Sequence, residues 1–132
     1  MTGAGAGGEP AWIELATLHL IHARQIELFG GLPGVRDERA IESALARPRH
    51  AWAYGQAADV ETLAGVYLCA LARQQGYADG NKRVALAGML VFLRLHGRTL
   101  VAPKDELYAL VMAAATGAVS AEQVGAWVRQ HV

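Results

Sequence analysis

The stretch QQGYADGNKRVAL, residues 74–86, sets an aromatic, an acid, a glycine, an asparagine and two cations directly before an apolar run. That run, VALAGMLVFL at residues 84–93, is apolar on every side. It predicts a helix over about 80–96, closed by Gly97 and buried all round as the central helix of a bundle. The first N–H groups of such a helix have no partner inside it, and together with the positive end of its dipole they form a site for an anion. Gly80 lets a ligand approach the backbone with no Cβ in the way. Asn81 can donate to a phosphate oxygen or a developing oxyanion, Lys82 adds charge, and Arg83 can fork onto a phosphate with two donors. Asp79 offers a hard oxygen for a magnesium ion bridging phosphates. The residues describe a nucleotide phosphate cradle. The plainer alternative makes Asp79 an ordinary N-cap and leaves Lys82 and Arg83 as solvated groups of an exposed first turn.

The flanking segments read as further helices. A first helix is predicted over residues 10–29, with Leu15, Leu18, Ile26 and Phe29 on one face and His22 in the middle of it. His22 is either a core histidine satisfied by one internal hydrogen bond or a support for a nearby site. GGLPGVRD, residues 30–37, stops that helix, and Asp37 caps a second one that ends near Pro48. RHAWAYGQAAD, residues 49–59, has no clear period and reads as a loop. Its Trp52 either lies over a site or plugs the edge of the core. Asp59 caps a third helix over 60–74, Pro103 opens a fifth, and Ser120 with Gln123 makes a capping box for a sixth. The expected architecture is all-α, a compact bundle of about six helices over residues 10–132 behind a flexible lead at 1–9.

The chain has 132 residues, 53% of them hydrophobic and 18% charged, which suits one folded domain rather than a disordered chain. Formal net charge is zero, so no overall basic field gathers nucleic acid and direct nucleic-acid binding is not expected. The lone cysteine, Cys69, has no partner for an internal disulfide and fits a reducing compartment. The first eight residues lack the cationic start and apolar core of a signal peptide, and no apolar run is long enough to span a bilayer. A cytoplasmic protein without membrane contact is expected.

YADGNKR at residues 77–83 resembles the signature of the Fic/Doc family, His-Pro-Phe-x-Asp/Glu-Gly-Asn-Gly/Lys-Arg. FGGLPGVRDERAIESALARP, GNKRVALAGMLVFLRLHG and GAVSAEQVGAWVRQH are similar to the early turn, central helix and closing helix of its Doc (death-on-curing) branch. The resemblance covers nearly the whole chain after residue 10. It implies a toxin of a toxin–antitoxin pair that uses ATP and magnesium as a protein kinase, with elongation factor Tu as target. Members that transfer AMP instead generally carry glycine where this chain has Lys82 and a second arginine where it has Leu86. Both positions therefore favour phosphorylation over AMP transfer. The resemblance also implies an antitoxin helix lying in an apolar groove, for which Trp12, Trp52 and Trp127 are candidate lining residues, with core packing an equal alternative for each.

One position departs sharply. With Gly80 on the motif glycine, Tyr77 falls on the phenylalanine, Gly76 on the proline and Gln75 on the histidine that serves as general base. A glutamine amide cannot accept a proton near neutral pH, and general-base catalysis is typically worth about 10² to 10⁴ in rate. Phosphoryl transfer draws heavily on positioning and charge stabilisation, so Gln75 predicts attenuated turnover with nucleotide binding better preserved. Three readings stay open: a disarmed toxin, a natural pseudoenzyme that keeps partner or nucleotide binding, and a chemistry that needs no histidine base.

Overall fold

The computed structural model describes residues 8–132. Residues 1–7 of the expected flexible lead lie outside the described residues. Six helices follow in order: α1 (Leu15–Phe29), α2 (Glu38–Ala53), α3 (Val60–Arg73), α4 (Asn81–Leu95), α5 (Lys104–Thr116) and α6 (Ala121–Arg129). The fold is all-α, as expected. Among the described residues, no helix is long and apolar enough to cross a membrane.

The expected caps are present. The Asp37 and Asp59 side chains accept from Ala40 N and Thr62 N, and Ser120 with Gln123 forms both halves of a capping box. Pro103 stands at the N-cap of α5, and Gly117 ends that helix in the left-handed conformation.

Three expectations are corrected. α1 begins at Leu15 rather than residue 10. The backbone before it is engaged elsewhere: Ala11 N donates to His96 Nε2 and Ile13 N to the Tyr67 hydroxyl, each at 3.0 Å. Phe29, expected on the inner face of α1, is 67% exposed, while Leu18 and His22 are buried. Secondly, α2 does not stop near Pro48 but continues through it to Ala53. Its buried stripe of Ile41, Ala44, Leu45, Pro48 and Ala51 keeps helical spacing across the proline, and packing outweighs the missing N–H. The irregular segment is thus only 54–59. Trp52 sits in the last turn of α2, edge-on to Trp12 with ring centroids 6.2 Å apart, and so packs at the rim of the core rather than over the site.

The third correction concerns the centre of the bundle. α3, not α4, is the central helix, packed by α2, α4, α5 and α6. Its Leu63, Ala64, Tyr67, Leu68 and Leu71 are fully buried. α4 buries Val84, Ala85, Met89, Phe92 and Leu93 but leaves Leu86, Leu90 and Val91 half-buried and Leu95 exposed. An all-round apolar sequence marks α4 as a helix without requiring a neighbour on every side.

Candidate functional site

Between α3 and α4 the chain runs through residues 74–80, and almost every polar group there has a specific partner. Gln74 leaves helical geometry at ψ 157°, and Gly80 takes the left-handed conformation at φ 75° as N-cap of α4. Gly80 brings no capping side chain, so the first turn of α4 is open to a ligand.

Asn81, at the start of that turn, is 8% exposed and faces back into the loop. Its Oδ1 accepts from Tyr77 N and from Gln74 Nε2, and its Nδ2 donates to Tyr77 O, all at 3.0 Å. The Gln74 Oε1 accepts from Gly76 N at 2.6 Å. The two side-chain amides therefore fix the loop, and only the second hydrogen of Asn81 Nδ2 is left for a ligand.

Residues 34–37 pair with the loop as a short antiparallel bridge, Val35 to Tyr77. Arg36 N and Asp37 N both donate to Gly76 O, and Ala78 N donates to Gly34 O. Gln75 is exposed beside this bridge, its backbone carbonyl accepting from Arg36 Nη2 at 3.2 Å.

Asp79 faces the turn after α1. Its Oδ2 accepts from Leu32 N at 3.2 Å and its Oδ1 from Gly80 N at 2.8 Å. The Leu32 N–H, then the Gly80 N–H, hold its carboxyl below the usual range, and the charges of Arg83 and His22 add to this. Asp79 is not the N-cap of α4. Arg83 donates through Nη1 to Gly30 O at 2.8 Å, and Lys82 is exposed. Gly31 stands against both Asp79 and Arg83: a Cβ there would lie 2.7 Å from Asp79 Oδ2 and 2.9 Å from Arg83 Nη2.

Gln75, Asp79, Gly80, Asn81, Lys82 and Arg83 together line one open pocket of about 310 Å³. The six residues singled out in the sequence thus share a single site.

Both readings of His22 apply at once. It is 3% exposed, and its Nε2–H donates to Asp79 O at 2.7 Å, so its one internal hydrogen bond supports the site. Its ring also stacks on Tyr77, centroid to centroid 3.8 Å. His19, one turn earlier on α1, went unnoticed in the sequence. Its Nδ1 accepts from the Tyr77 hydroxyl at 2.8 Å while its Nε2–H donates to Glu38 at 3.0 Å. Burial, then the Glu38 charge, holds the Tyr77 phenol protonated far above its ordinary range. The i, i+3 spacing of His19 and His22 was the available signal, but nothing local said that their face meets residue 77.

His50 and His96 lie elsewhere. His96 is fully buried at the far end of α4, donating from Nδ1 to Phe92 O, and among the described residues no histidine lines the motif pocket.

An uncapped helix N-terminus flanked by a carboxylate, a lysine and an arginine offers groups able to hold an anion, on an all-α frame. The Fic/DOC family pattern matches residues 12–93, and the chain belongs to that family. Its relatives include "Protein kinase doc" of Escherichia phage P1, 36% identical over 110 residues that cover 83% of this chain and 86% of the relative. "Toxin Doc" of Mycolicibacterium smegmatis (strain ATCC 700084 / mc(2)155) is 40% identical over 79 residues, 58% of this chain and 60% of the relative. The chain is a homologue of Doc proteins.

Proposed function

We propose that this protein is the toxin of a toxin–antitoxin pair, with an ATP-dependent protein phosphotransferase site attenuated at Gln75. The observation that carries the reading is the convergence of Asp79, Gly80, Asn81, Lys82 and Arg83 on one pocket at the uncapped start of α4. The relatives named protein kinase doc and toxin Doc supply the reaction class and the toxin role.

The residues fit a nucleotide phosphate with magnesium. A magnesium ion there would be held by one carboxylate, Asp79, and by phosphate oxygens. Asp79 is ionised, and each of its oxygens keeps a lone pair beyond the hydrogen bond it accepts. Bound magnesium and ATP supply the transferable phosphoryl group and the neutralisation of its charge. The chain's own part is positional: α4 N–H groups, Lys82 and the free arm of Arg83 hold the phosphates, while Asn81 and Gln74 keep the loop in register. The target assigned by resemblance is elongation factor Tu, in the cytoplasm. Lys82 and Leu86 weigh against AMP transfer.

The antitoxin is assigned to the apolar groove of about 200 Å³ between α4 and α5, lined by Leu86, Leu107, Tyr108, Val111 and Met112 and rimmed by Lys82, Arg83 and Lys104. An amphipathic helix fits such a groove, and it would meet the two cations of the motif there. Trp12, Trp52 and Trp127, considered earlier for this role, pack on the core instead and do not line it.

One observation favours the second reading, a pseudoenzyme that binds its partner without catalysis. The imidazoles nearest the motif, His19 and His22, are both committed to hydrogen bonds, and Gln75 stands where the family places its base. The test incubates the protein and its Gln75→His variant with magnesium, a bacterial lysate and ATP labelled at the γ- or α-phosphate. Kinase chemistry gives γ-label on a lysate protein, stronger by about 10² or more with the histidine. Label from α-ATP would establish AMP transfer. No label from either version, in a lysate that a control kinase of this family does label, would leave the pseudoenzyme.

A further inference from the structure

A second and larger cavity, about 730 Å³, opens between α2, α3 and the turn that joins α5 to α6. It shares no residue with the motif pocket. Alanines from α2, α3 and the turn floor much of it, and these small side chains leave the space. α2 presents Ser43, Arg47 and His50 to it at i, i+4 and i+7, one face of the helix. From α3 comes Arg73, whose Nε donates to Ala114 O at 2.9 Å, which fixes the guanidinium plane and leaves its Nη groups for the cavity. Its Nη2 lies 3.9 Å from where a side chain on Gly117 would begin, so the group stands directly at the turn.

The charge here is only partly compensated. Arg24, Arg49, Arg98 and Arg129 each have a carboxylate partner, whereas Arg47 and Arg73 have none among the described residues. Glu122 is the one acid in the lining. Both arginines also act on the Cys69 thiol at the cavity wall: burial pushes it up, Arg73 pulls it back, the Glu122 charge pushes it up again and Arg47 lowers it slightly. The two guanidiniums line the same cavity from different helices, Arg47 from α2 and Arg73 from α3. The wall formed by the turn is rigid, because the Ser120–Gln123 capping box fixes its conformation.

We propose that this cavity is a second binding site, taking a small molecule that carries more than one phosphate. Its volume lies in the range of small-molecule sites, roughly 300–1,000 Å³. Two guanidiniums match a phosphorylated anion in fork geometry, with an imidazole and a hydroxyl from the same face of α2 as further polar contacts. The occupant would also touch Gln74, whose side chain braces the motif loop through Asn81 Oδ1 and Gly76 N. The site is thus placed to bias the motif pocket from behind. The proposal holds whether or not the motif pocket transfers phosphate.

The test is a residue-resolved NMR titration of the full chain with sodium pyrophosphate at constant ionic strength. Three forms are compared: the protein itself, Arg47→Gln, and the Lys82→Gln/Arg83→Gln double variant. Saturating shifts are expected at amides 117–123 and at Arg73 Nε, with a Kd raised about tenfold or more by Arg47→Gln and unchanged by the double variant. The Arg47 side chain makes no hydrogen bond within the protein among the described residues and is exposed, so its replacement leaves the fold intact; the unchanged spectrum elsewhere checks this. Shifts confined to residues 79–83, or weak linear shifts identical in all three forms, overturn the proposal. Saturation of amides 117–123 by a polyglutamate peptide but not by pyrophosphate also overturns it and identifies the cavity as a contact for an acidic protein.

Discussion

The seam between α3 and α6 and the loop that leads into α4 are held by opposite means. At the seam, backbones touch: a Cβ on Gly65 would run into the Ala121 carbonyl, and one on Gly125 would lie 2.9 Å from Thr62 Cα. Val124 and Val128 complete it with fully buried side chains. In the loop, side chains replace what a helix or sheet would otherwise supply. Gln74 and Asn81 take up the backbone of residues 71–77, His22 takes Asp79 O, and His19 takes the Tyr77 hydroxyl. The seam gives the bundle its tightness by excluding side chains. The loop satisfies its buried polar groups internally, and that leaves Lys82, part of Arg83 and the α4 N–H groups facing water.

The largest effect is expected at the seam. Gly65→Val must push α6 away from α3, an overpacking change that costs about 3 kcal/mol. Urea denaturation would read it, and an unchanged midpoint would mean that the seam is loose. In the loop, Asn81→Ala strands the Tyr77 N–H and carbonyl and frees Gln74. It should cost about 2 kcal/mol and weaken ATP binding at the same time, because the loop and the pocket are one structure. A variant that lost stability but bound ATP normally would separate the two.

A smaller loss is expected for Tyr77→Phe, which deletes only the phenol that His19 accepts from: about 1 kcal/mol, abolished when His19 is already replaced by leucine. Additive effects in that double-mutant cycle would show the hydrogen bond to be energetically idle. The smallest effect is the acid limb of Asp79. Its folded pKa lies below the ordinary 3.8, so its contribution is fully present above pH 3.8 and fades as pH falls through the folded value. Asp79→Asn should flatten that part of the stability–pH curve by lowering the plateau above pH 3.8 and leaving the acid end unchanged, as followed by chemical denaturation at stepped pH.

The motif, the caps and the helix count were legible because each rests on local chemistry. Asp37, Asp59 and Ser120 each accept from an N–H group three residues away, and Gly80 answers a backbone angle at its own position. Pro48 misled for the same reason. A proline reads locally as a stop, whereas the stripe from Ile41 to Ala51 that carries α2 past it is a demand of the core. The apolar run of α4 likewise spoke of burial in general but not of which neighbours exist. The Doc likeness placed the six motif residues in one neighbourhood, yet it gave no hint that His19 and Glu38 would engage Tyr77, because that contact joins residues 19, 38 and 77.

The sequence by itself thus determined an all-α chain of the Fic/DOC family, with its charged motif at the start of an apolar helix. Hydrophobic period, capping and motif spacing are properties of neighbours along the chain. Only the tertiary structure decided that α3 is the central helix, that His22 supports Asp79, that Asn81 spends its amide on the loop, and that Arg47 and Arg73 face one cavity whose lining holds a single acid, Glu122. Each of these depends on which helix faces meet, and packing of the whole core selects that.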